Sequence, residues 1–179
     1  MQKQSGFTLI ELLVLVAIVA ILATVAAPDF STTIKNGQDI SQSNSLITGL
    51  AVARSEAIKS DDNVSICAGT TLACSGPTWA AGWVVYYNAP LPAGITNPII
   101  RVFPAISGNN TFTSNNGYSF TFQASGLLLT PPAPPITFTL CDPRGTTFAR
   151  AIDLGTAGQA EAAPEAGFEI DGVTAITSC

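Results

Sequence analysis

The sequence predicts an α+β protein in which a long N-terminal α-helix packs on a C-terminal antiparallel β-sheet head. Two observations predict the helix: an apolar run at residues 7–27, long enough to cross a membrane as a helix, and an amphipathic continuation to about Ser60. A third predicts the sheet. From Asn63 onward the chain breaks into short β-rich runs separated by Gly, Pro and Asn.

The apolar run contains one ionised side chain, Glu11. A carboxylate in hydrocarbon costs about 2.5 to 3.5 kcal/mol on insertion scales, so Glu11 requires a partner. Cleavage of the chain between Gly6 and Phe7 would supply one, because the new α-ammonium group of Phe7 would be a positive charge. Glu11 of the same or a neighbouring subunit could then neutralise it. Such a cut would also retain the apolar helix.

Two simpler interpretations of the apolar run are a secretory signal peptide and a plain membrane anchor. Residues 25–27, Val-Ala-Ala, could pass as a signal-peptidase site, but Pro28 follows them directly and Glu11 interrupts the apolar core. A single-span anchor is physically sound. Neither interpretation explains Gly6 and Glu11 together.

From Thr8 to about Ser60 the sequence predicts one helix, with an irregularity near Pro28 and a weak point at Asn36 and Gly37. Its second half carries an apolar stripe that we expect to pack on the head: Leu46, Leu50, Ala53 and Ala57, widened by Ile47, Ala51 and Ile58. The charged residues Arg54, Glu56 and Lys59 are expected to face elsewhere.

The predicted strands lie at residues 64–66, 83–87, 99–103, 118–122, 136–140 and 149–154. Loops are predicted at residues 88–97, 107–117 and 130–135. The last is Pro-rich and cannot be a central strand, so we interpret it as an exposed connection between two hairpin strands. Trp79 and Trp83 are expected to fill the core.

Four cysteines, Cys67, Cys74, Cys141 and Cys179, allow three pairings. Cys67 with Cys74 is favoured because the segment between them can form a tight loop. Cys141 with Cys179 would fix the C-terminus and, as the longer loop, contribute on the order of 4 kcal/mol. The spacing lacks Cys-x-x-Cys pairs, and no His is present, which argues against a metal site.

The composition argues against catalysis and nucleic-acid binding. The 179 residues carry 11% charged side chains, a net charge of −5 and no His. We find no nucleophile and base pair, no phosphate-binding loop and no ligand cluster, so we predict neither an enzyme nor a cofactor. The basic residues beyond Lys3 are scattered rather than clustered.

The residues around Gly6, Phe7 and Glu11, with basic Lys3 before them and Pro28 after the apolar run, resemble the N-terminal signal of type IV pilins and type II secretion pseudopilins. This resemblance implies that a prepilin peptidase cleaves after Gly6 and N-methylates Phe7, and that Glu11 aids docking among pilin subunits. It also implies a single-pass inner-membrane protein with a periplasmic head, which later enters a filament. The corresponding segments are a leader at 1–6, a membrane and filament-core helix at 7–27, an amphipathic helix at 28–60 and a head at 61–179.

Further along, Ala-Arg-Ser-Glu-Ala at residues 53–57, Gly-Trp-Val-Val at 82–85 and Cys-Asp-Pro-Arg-Gly at 141–145 resemble the GspH/FimT group of minor pilins and H-type pseudopilins. Some FimT-like members bind DNA through a Gly-Arg-x-Arg motif. The corresponding stretch here is Gly158, Gln159, Ala160 and Glu161, which lacks both arginines. Arg144 and Arg150 could still contact phosphate, although pairing with Asp142 or Asp153 explains them more simply.

The hypothesis that follows is a minor pilin that primes or enters a type IV pilus. The alternative is the H-type minor pseudopilin of a type II secretion system, and the third hypothesis is a DNA-binding minor pilin. A displayed adhesive tip is a separate hypothesis, for which the loops at 107–117 and 130–135 are the candidates.

Overall fold

The computed structural model describes residues 6–72, 74, 78–129 and 136–179, without the side chains of residues 25–29. Two compact units make up the chain, Met1–Gln38 and Asp39–Cys179. Helix α1 runs from Leu9 to Ser60. Eight strands follow: β1 (Val64–Ala68), β2 (Trp83–Tyr87), β3 (Ile99–Phe103), β4 (Thr111–Ser114), β5 (Ser119–Phe122), β6 (Ile136–Cys141), β7 (Arg150–Leu154) and β8 (Ala160–Ala162).

The first unit contains the N-terminal part of α1. The backbone stays helical through Pro28 and through Asn36 and Gly37, so the predicted irregularity and weak point do not interrupt the helix. A proline removes its own N–H from the helical hydrogen bonding, but the helix is continuous on both sides of Pro28. Residues 1–5 of the predicted leader lie outside the described residues.

The second unit contains two four-stranded antiparallel sheets. The first has the strand order β3-β2-β1-β5 and the second β4-β6-β7-β8. The α+β class and the antiparallel head are as the sequence predicts. The Pro-rich loop at 130–135 lies outside the described residues, but the strands that flank it, β5 and β6, belong to different sheets. The prediction that this loop joins two hairpin strands is therefore wrong.

Two strands differ from the sequence-based prediction. Residues 107–117 were expected to be a loop, but they include β4, which pairs with β6 and buries Phe112 between polar neighbours. Strand β8 was not predicted, because Ala160 and Ala162 have little β-propensity. Its pairing with β7 is what places these residues in a strand.

The core lies between α1 and the two sheets. Leu46, Leu50, Ala53 and Ala57 are fully buried, which confirms the predicted stripe. Ala51 and Ile58 are exposed, so the stripe is narrower than expected, and Arg54 and Glu56 contact the head rather than facing away from it. The buried face of the helix is therefore a narrow row of small and aliphatic residues.

Trp79 and Trp83 occupy the centre of this core, as expected. The Trp79 ring stacks on Phe120 with centroids 5.8 Å apart and meets the ring of Phe138 edge-on at 5.1 Å. The Trp83 ring stacks on Phe103 at 5.5 Å. Because Phe120 belongs to the first sheet and Phe138 to the second, the aromatic cluster joins the two sheets.

Candidate assembly site

The chain enters helix α1 through an exposed segment. Gly6, Phe7 and Thr8 precede the helix and are all exposed, and the Phe7 side chain is 79% exposed. A side chain at Gly6 would meet no atom within 4 Å among the described residues. Both residues of the Gly6–Phe7 peptide bond are therefore exposed within the described part of the chain.

Glu11 lies in the first turn of α1, where it forms a reciprocal pair with Thr8. The Thr8 N–H donates to Glu11 Oε2 at 3.4 Å, and the Glu11 N–H donates to Thr8 Oγ1 at 3.4 Å. This is a capping box, which satisfies backbone donors that the helix leaves unpaired at its start. The carboxylate also lies at the positive end of the helix dipole. Our reading of the sequence missed Thr8, although Thr-x-x-Glu is the signature of this motif.

The helix surface beyond Glu11 is apolar on every side. All the large aliphatic side chains from Leu9 to Leu22 are more than half exposed. Glu11, Ile10, Val14, Leu15 and Ile18 line a shallow groove of about 340 Å³. A helix that is apolar all round is stable only when another apolar medium covers it.

No helical stretch of the described residues combines the length and the apolar character of a membrane span.

The structure pairs Cys67 with Cys74 and Cys141 with Cys179, the two pairs that the sequence favours. The first bridge closes a short loop after β1. The second fixes the C-terminal residue to the end of β6, beside a small secondary core of Ala149, Ala151, Ala163 and Ile176. The C-terminal segment also bonds to Gly167 through the Ile176 N–H, at 2.8 Å. Covalent and backbone contacts thus hold the end of the chain on the second sheet.

Arg144 lies in a buried polar cluster rather than on the surface. Its Nη2 donates to Asp39 Oδ2 at 2.9 Å, and its Nε donates to Asp142 Oδ2. The guanidinium carbon lies 4.1 Å from the centroid of the Phe148 ring. The expected pairing with Asp142 is present, and the partner that the sequence did not suggest is Asp39, on α1. Arg150 forms no ion pair with any residue in the described part of the chain.

Asp39 also accepts a hydrogen bond from Asn110 Nδ2 at 2.8 Å, and the same amide donates to Gln42 Oε1 at 2.9 Å. Burial raises the pKa of Asp39 above its ordinary value and the Asp142 charge adds to this, whereas Asn110 and Arg144 lower it. The cluster holds the middle of α1, at Asp39 and Gln42, against the loops that precede β4 and follow β6. The charge of Arg144 is thus paired with Asp39 and Asp142 within the protein.

The stretch from Gly158 to Glu161 contains no basic residue. Gly158 closes a turn with positive φ, and Glu161 lies opposite Asp153 in the pairing of β8 with β7. Two neighbouring carboxylates repel phosphate, so the geometry gives no support to a DNA-binding role for this segment. Among the residues whose placement is described, no group of three or more His, Cys, Asp or Glu side chains could hold a metal ion.

An exposed apolar helix that starts at a capping box, followed by an amphipathic half packed on a β-sheet head, defines a pilin-like protein of the minor pilin or pseudopilin class. Residues 1–27 match the family model of the prokaryotic N-terminal methylation motif. Residues 42–158 match the model of the type II transport protein GspH. The chain belongs to the GspH family.

Two crystal structures of the type IV minor pilin FimU from Pseudomonas aeruginosa are similar to this chain. One aligns with a TM-score of 0.63 and 24% identity over 81% of this chain and 97% of FimU. The other, from a different crystal form, aligns with a TM-score of 0.58 and 26% identity over 78% of this chain and 98% of FimU. The search of curated proteins found no match.

Proposed function

We propose that this chain is a minor subunit of a type IV pilus, made as a precursor that a prepilin peptidase cleaves between Gly6 and Phe7. The peptidase then N-methylates the new N-terminus at Phe7. Residues 7–27 hold the precursor in the inner membrane with the head in the periplasm, and later enter the filament core. Residues 28–60 connect this segment to the head at 61–179, and the role of the protein is structural rather than catalytic.

The observation that carries the proposal is the combination of Glu11 with the apolar surface around it. The match to the N-terminal methylation motif covers this segment. Glu11 is an isolated carboxylate among aliphatic side chains that are exposed on all sides. In an apolar medium it requires a cation, and the Phe7 ammonium of a neighbouring subunit is a cation that assembly supplies. Lipid covers the apolar surface of α1 before assembly, and the helices of other subunits cover the same surface in the filament.

The choice of a pilus rests on the likeness to FimU, which is described as a type IV minor pilin. The alternative is an H-type minor pseudopilin of a type II secretion system, which the description of the matching family model favours. The two roles use the same helix chemistry. They differ in which filament the subunit enters.

A deletion strain distinguishes them when it is tested in parallel for surface pili with twitching motility and for secretion of exoproteins. We expect loss of pili with intact secretion, and restoration by the wild-type chain. Lost secretion with intact pili would assign the chain to the secretion system instead. A deletion strain normal in both assays would contradict both roles.

A further inference from the structure

We propose that the groove between α1 and strand β8 is a docking site for an extended segment of another filament subunit, with aliphatic side chains and one carboxylate. The inference rests on the proposed function for the source of that segment. The groove lies within the Asp39–Cys179 unit and has a volume of about 330 Å³. We call it the Arg54 groove.

One wall of the Arg54 groove is a row on α1. Its residues recur every three or four positions, which places them along one face of the helix over about 16 Å. They are Ile47, Ala51, Arg54, Ser55 and Ile58. Ile58 is 52% exposed although it faces the head side of the helix. This wall is therefore aliphatic surface that the protein's own core leaves uncovered.

The other wall is made of the three residues that lead into β8, two of which are small. Gly158, Gln159 and Ala160 line it. A side chain at Gly158 would lie 2.5 Å from the Gly126 carbonyl oxygen, and one at Gly126 would lie 2.8 Å from Ile58 Cδ1. Both glycines have positive φ. Both positions therefore require a residue without a side chain: Gly158 lines the groove, and Gly126 lies against its wall residues Arg54 and Ile58.

Arg54 gives the groove its charge. Its Nε donates to the Gly126 carbonyl oxygen at 3.0 Å, which fixes the plane of the guanidinium group. Among the described residues, no carboxylate lies within ion-pair distance of Arg54. The wall residues supply no acidic side chain either. A positioned guanidinium beside aliphatic walls is complementary to a carboxylate carried on an apolar segment.

The exposed edge of β8 favours a docked segment with an extended backbone, which could pair with it as an additional strand. Strand β8 is the last strand of the second sheet. The Gly155 N–H donates to the Gln159 oxygen and the Ala163 N–H donates to the Ala151 oxygen, both at 2.9 Å. In an antiparallel pair the bonded residues alternate, so the N–H and C=O groups of Ala160 and Ala162 point away from β7.

Within the described part of the chain, these four backbone groups have no backbone partner. An added strand would satisfy them. Strand addition of this kind takes its affinity from main-chain hydrogen bonds and its selectivity from side-chain pockets beside the edge. The Arg54 groove is such a pocket. Ala160 of β8 lines it, and because side chains alternate along a strand, the side chain of Glu161 lies on the opposite face of the sheet from the groove.

The test is photo-crosslinking in cells that make the complete filament system, with a benzophenone amino acid in place of Ala51, which is exposed in the groove. The crosslinked partner peptide is identified by mass spectrometry. We expect adducts with a segment of another pilin-like subunit that has an Asp or Glu within two or three residues of the crosslink. Adducts with lipid, or with segments lacking a carboxylate, would overturn the inference.

Three variants sharpen the test. Arg54→Gln removes the charge and Ala162→Pro removes an outward N–H at the strand edge, and each is expected to reduce the adduct at least tenfold. Lys59→Gln is the matched control, because it removes one positive charge from the same helix outside the groove, where the side chain is 76% exposed. It should leave the adduct unchanged. An adduct that survives both of the first two variants contradicts the inference.

Incorporation of the subunit into sheared filaments is measured in the same cells. A subunit that enters filaments without forming an adduct at position 51 overturns the Arg54 groove as a docking site and leaves the proposed function standing. A wild-type subunit absent from every filament fraction contradicts the proposed function, and with it the inference that rests on it.

Discussion

Arg144 Nη2 lies 2.9 Å from Asp39 Oδ2, and this ion pair joins the loop after β6 to helix α1 across more than one hundred residues of sequence. The side chains are 13% and 4% exposed. Because Arg144 also pairs with Asp142, a single cation holds two buried carboxylates together. Loss of the Arg144 side chain would therefore leave the carboxylates of Asp39 and Asp142 without a cation.

Arg144→Gln is expected to destabilise the folded head by about 3 to 5 kcal/mol, because it leaves Asp39 and Asp142 buried without a cation. Urea unfolding of the full-length chain in detergent micelles, followed by the fluorescence of Trp79 and Trp83, measures this. Lys59→Gln breaks an exposed ion pair instead and should cost about 0.5 kcal/mol or less. Equal losses in the two variants would contradict the importance of the buried cluster.

The same variant should be sensitive to pH. Arg144 lowers the pKa of Asp39, so its removal raises that pKa further above its ordinary value. A folded-state pKa above the unfolded one gives stability that is present at low pH and lost as the pH rises through the folded-state pKa. The deficit of Arg144→Gln is thus expected to shrink as the pH falls from neutral through the raised folded-state pKa of Asp39. A deficit that grows on acidification would refute this.

Gly49→Ala should destabilise the head although alanine favours helices. The new Cβ would lie 2.6 Å from Trp83 Nε1 and 3.2 Å from Ile66 Cδ1, so the core must shift. We expect a loss of about 1 to 3 kcal/mol. Gly37→Ala is the matched control on the same helix, where nothing lies within 4 Å, and it should raise helix stability by about 1 kcal/mol. The same unfolding assay and circular dichroism compare the two.

The two disulfides should differ in their contributions. Their cysteines are 38 and 7 residues apart. On the chain-entropy model, replacing both Cys141 and Cys179 by Ser costs about 4 kcal/mol, and replacing both Cys67 and Cys74 costs about 2.4 kcal/mol. Urea unfolding of the two double variants without reductant gives the order. A larger loss from the short loop would show that factors other than chain entropy dominate.

Glu169→Gln is expected to stabilise the head at neutral pH. Burial and the nearby charges of Asp153 and Asp171 raise the pKa of Glu169. The stability linked to this group is therefore present in acid and lost as the pH rises through the raised pKa. We expect Glu169→Gln to be more stable than the wild type at pH 7, and this difference to disappear as the pH falls through the raised pKa of Glu169. Glu165→Gln, an exposed acid in the same segment, should show no such difference.

Glu11→Ala is expected to leave cleavage after Gly6 intact and to impair incorporation into filaments, because the Phe7 ammonium would lose its counter-charge. Immunoblots of precursor and mature forms measure cleavage, and sheared filament fractions measure incorporation. Thr8→Val tests the helix cap separately, since it removes the hydroxyl that bonds to the Glu11 N–H and retains the Glu11 charge. Normal incorporation of Glu11→Ala would contradict the charge pairing.

Local patterns predicted the features that depend on local chemistry. Hydrophobic spacing and side-chain size predicted one long helix that ends near Ser60, and the observed helix is Leu9–Ser60. They also predicted its buried stripe of Leu46, Leu50, Ala53 and Ala57 and the two buried tryptophans. The capping box at Thr8 and Glu11 was also present in the sequence, although we did not recognise it there. Each of these signals is carried by residues that are close together along the chain or by a repeating local spacing.

Features that join distant segments were not predictable in this way. Strand β4 lies in a polar stretch and exists because β6 provides the partner edge, and β8 depends in the same way on β7. The assignment of β5 and β6 to different sheets, which overturned the predicted hairpin, depends on which edges the whole chain leaves free. A local sequence pattern does not show which sheet edge a strand will pair with, because several edges compete for each strand.

The class of this protein is already readable in the order of residues along the chain, because charge, hydropathy and spacing specify it. They do so through Gly6, Phe7 and Glu11 in an apolar run, followed by an amphipathic helix and β-rich runs. The pairing of Arg144 with Asp39, and the position of Arg54 in an open groove beside β8, become visible only in the folded chain. Both relationships join residues far apart in sequence, and packing of the helix on two sheets brings them together.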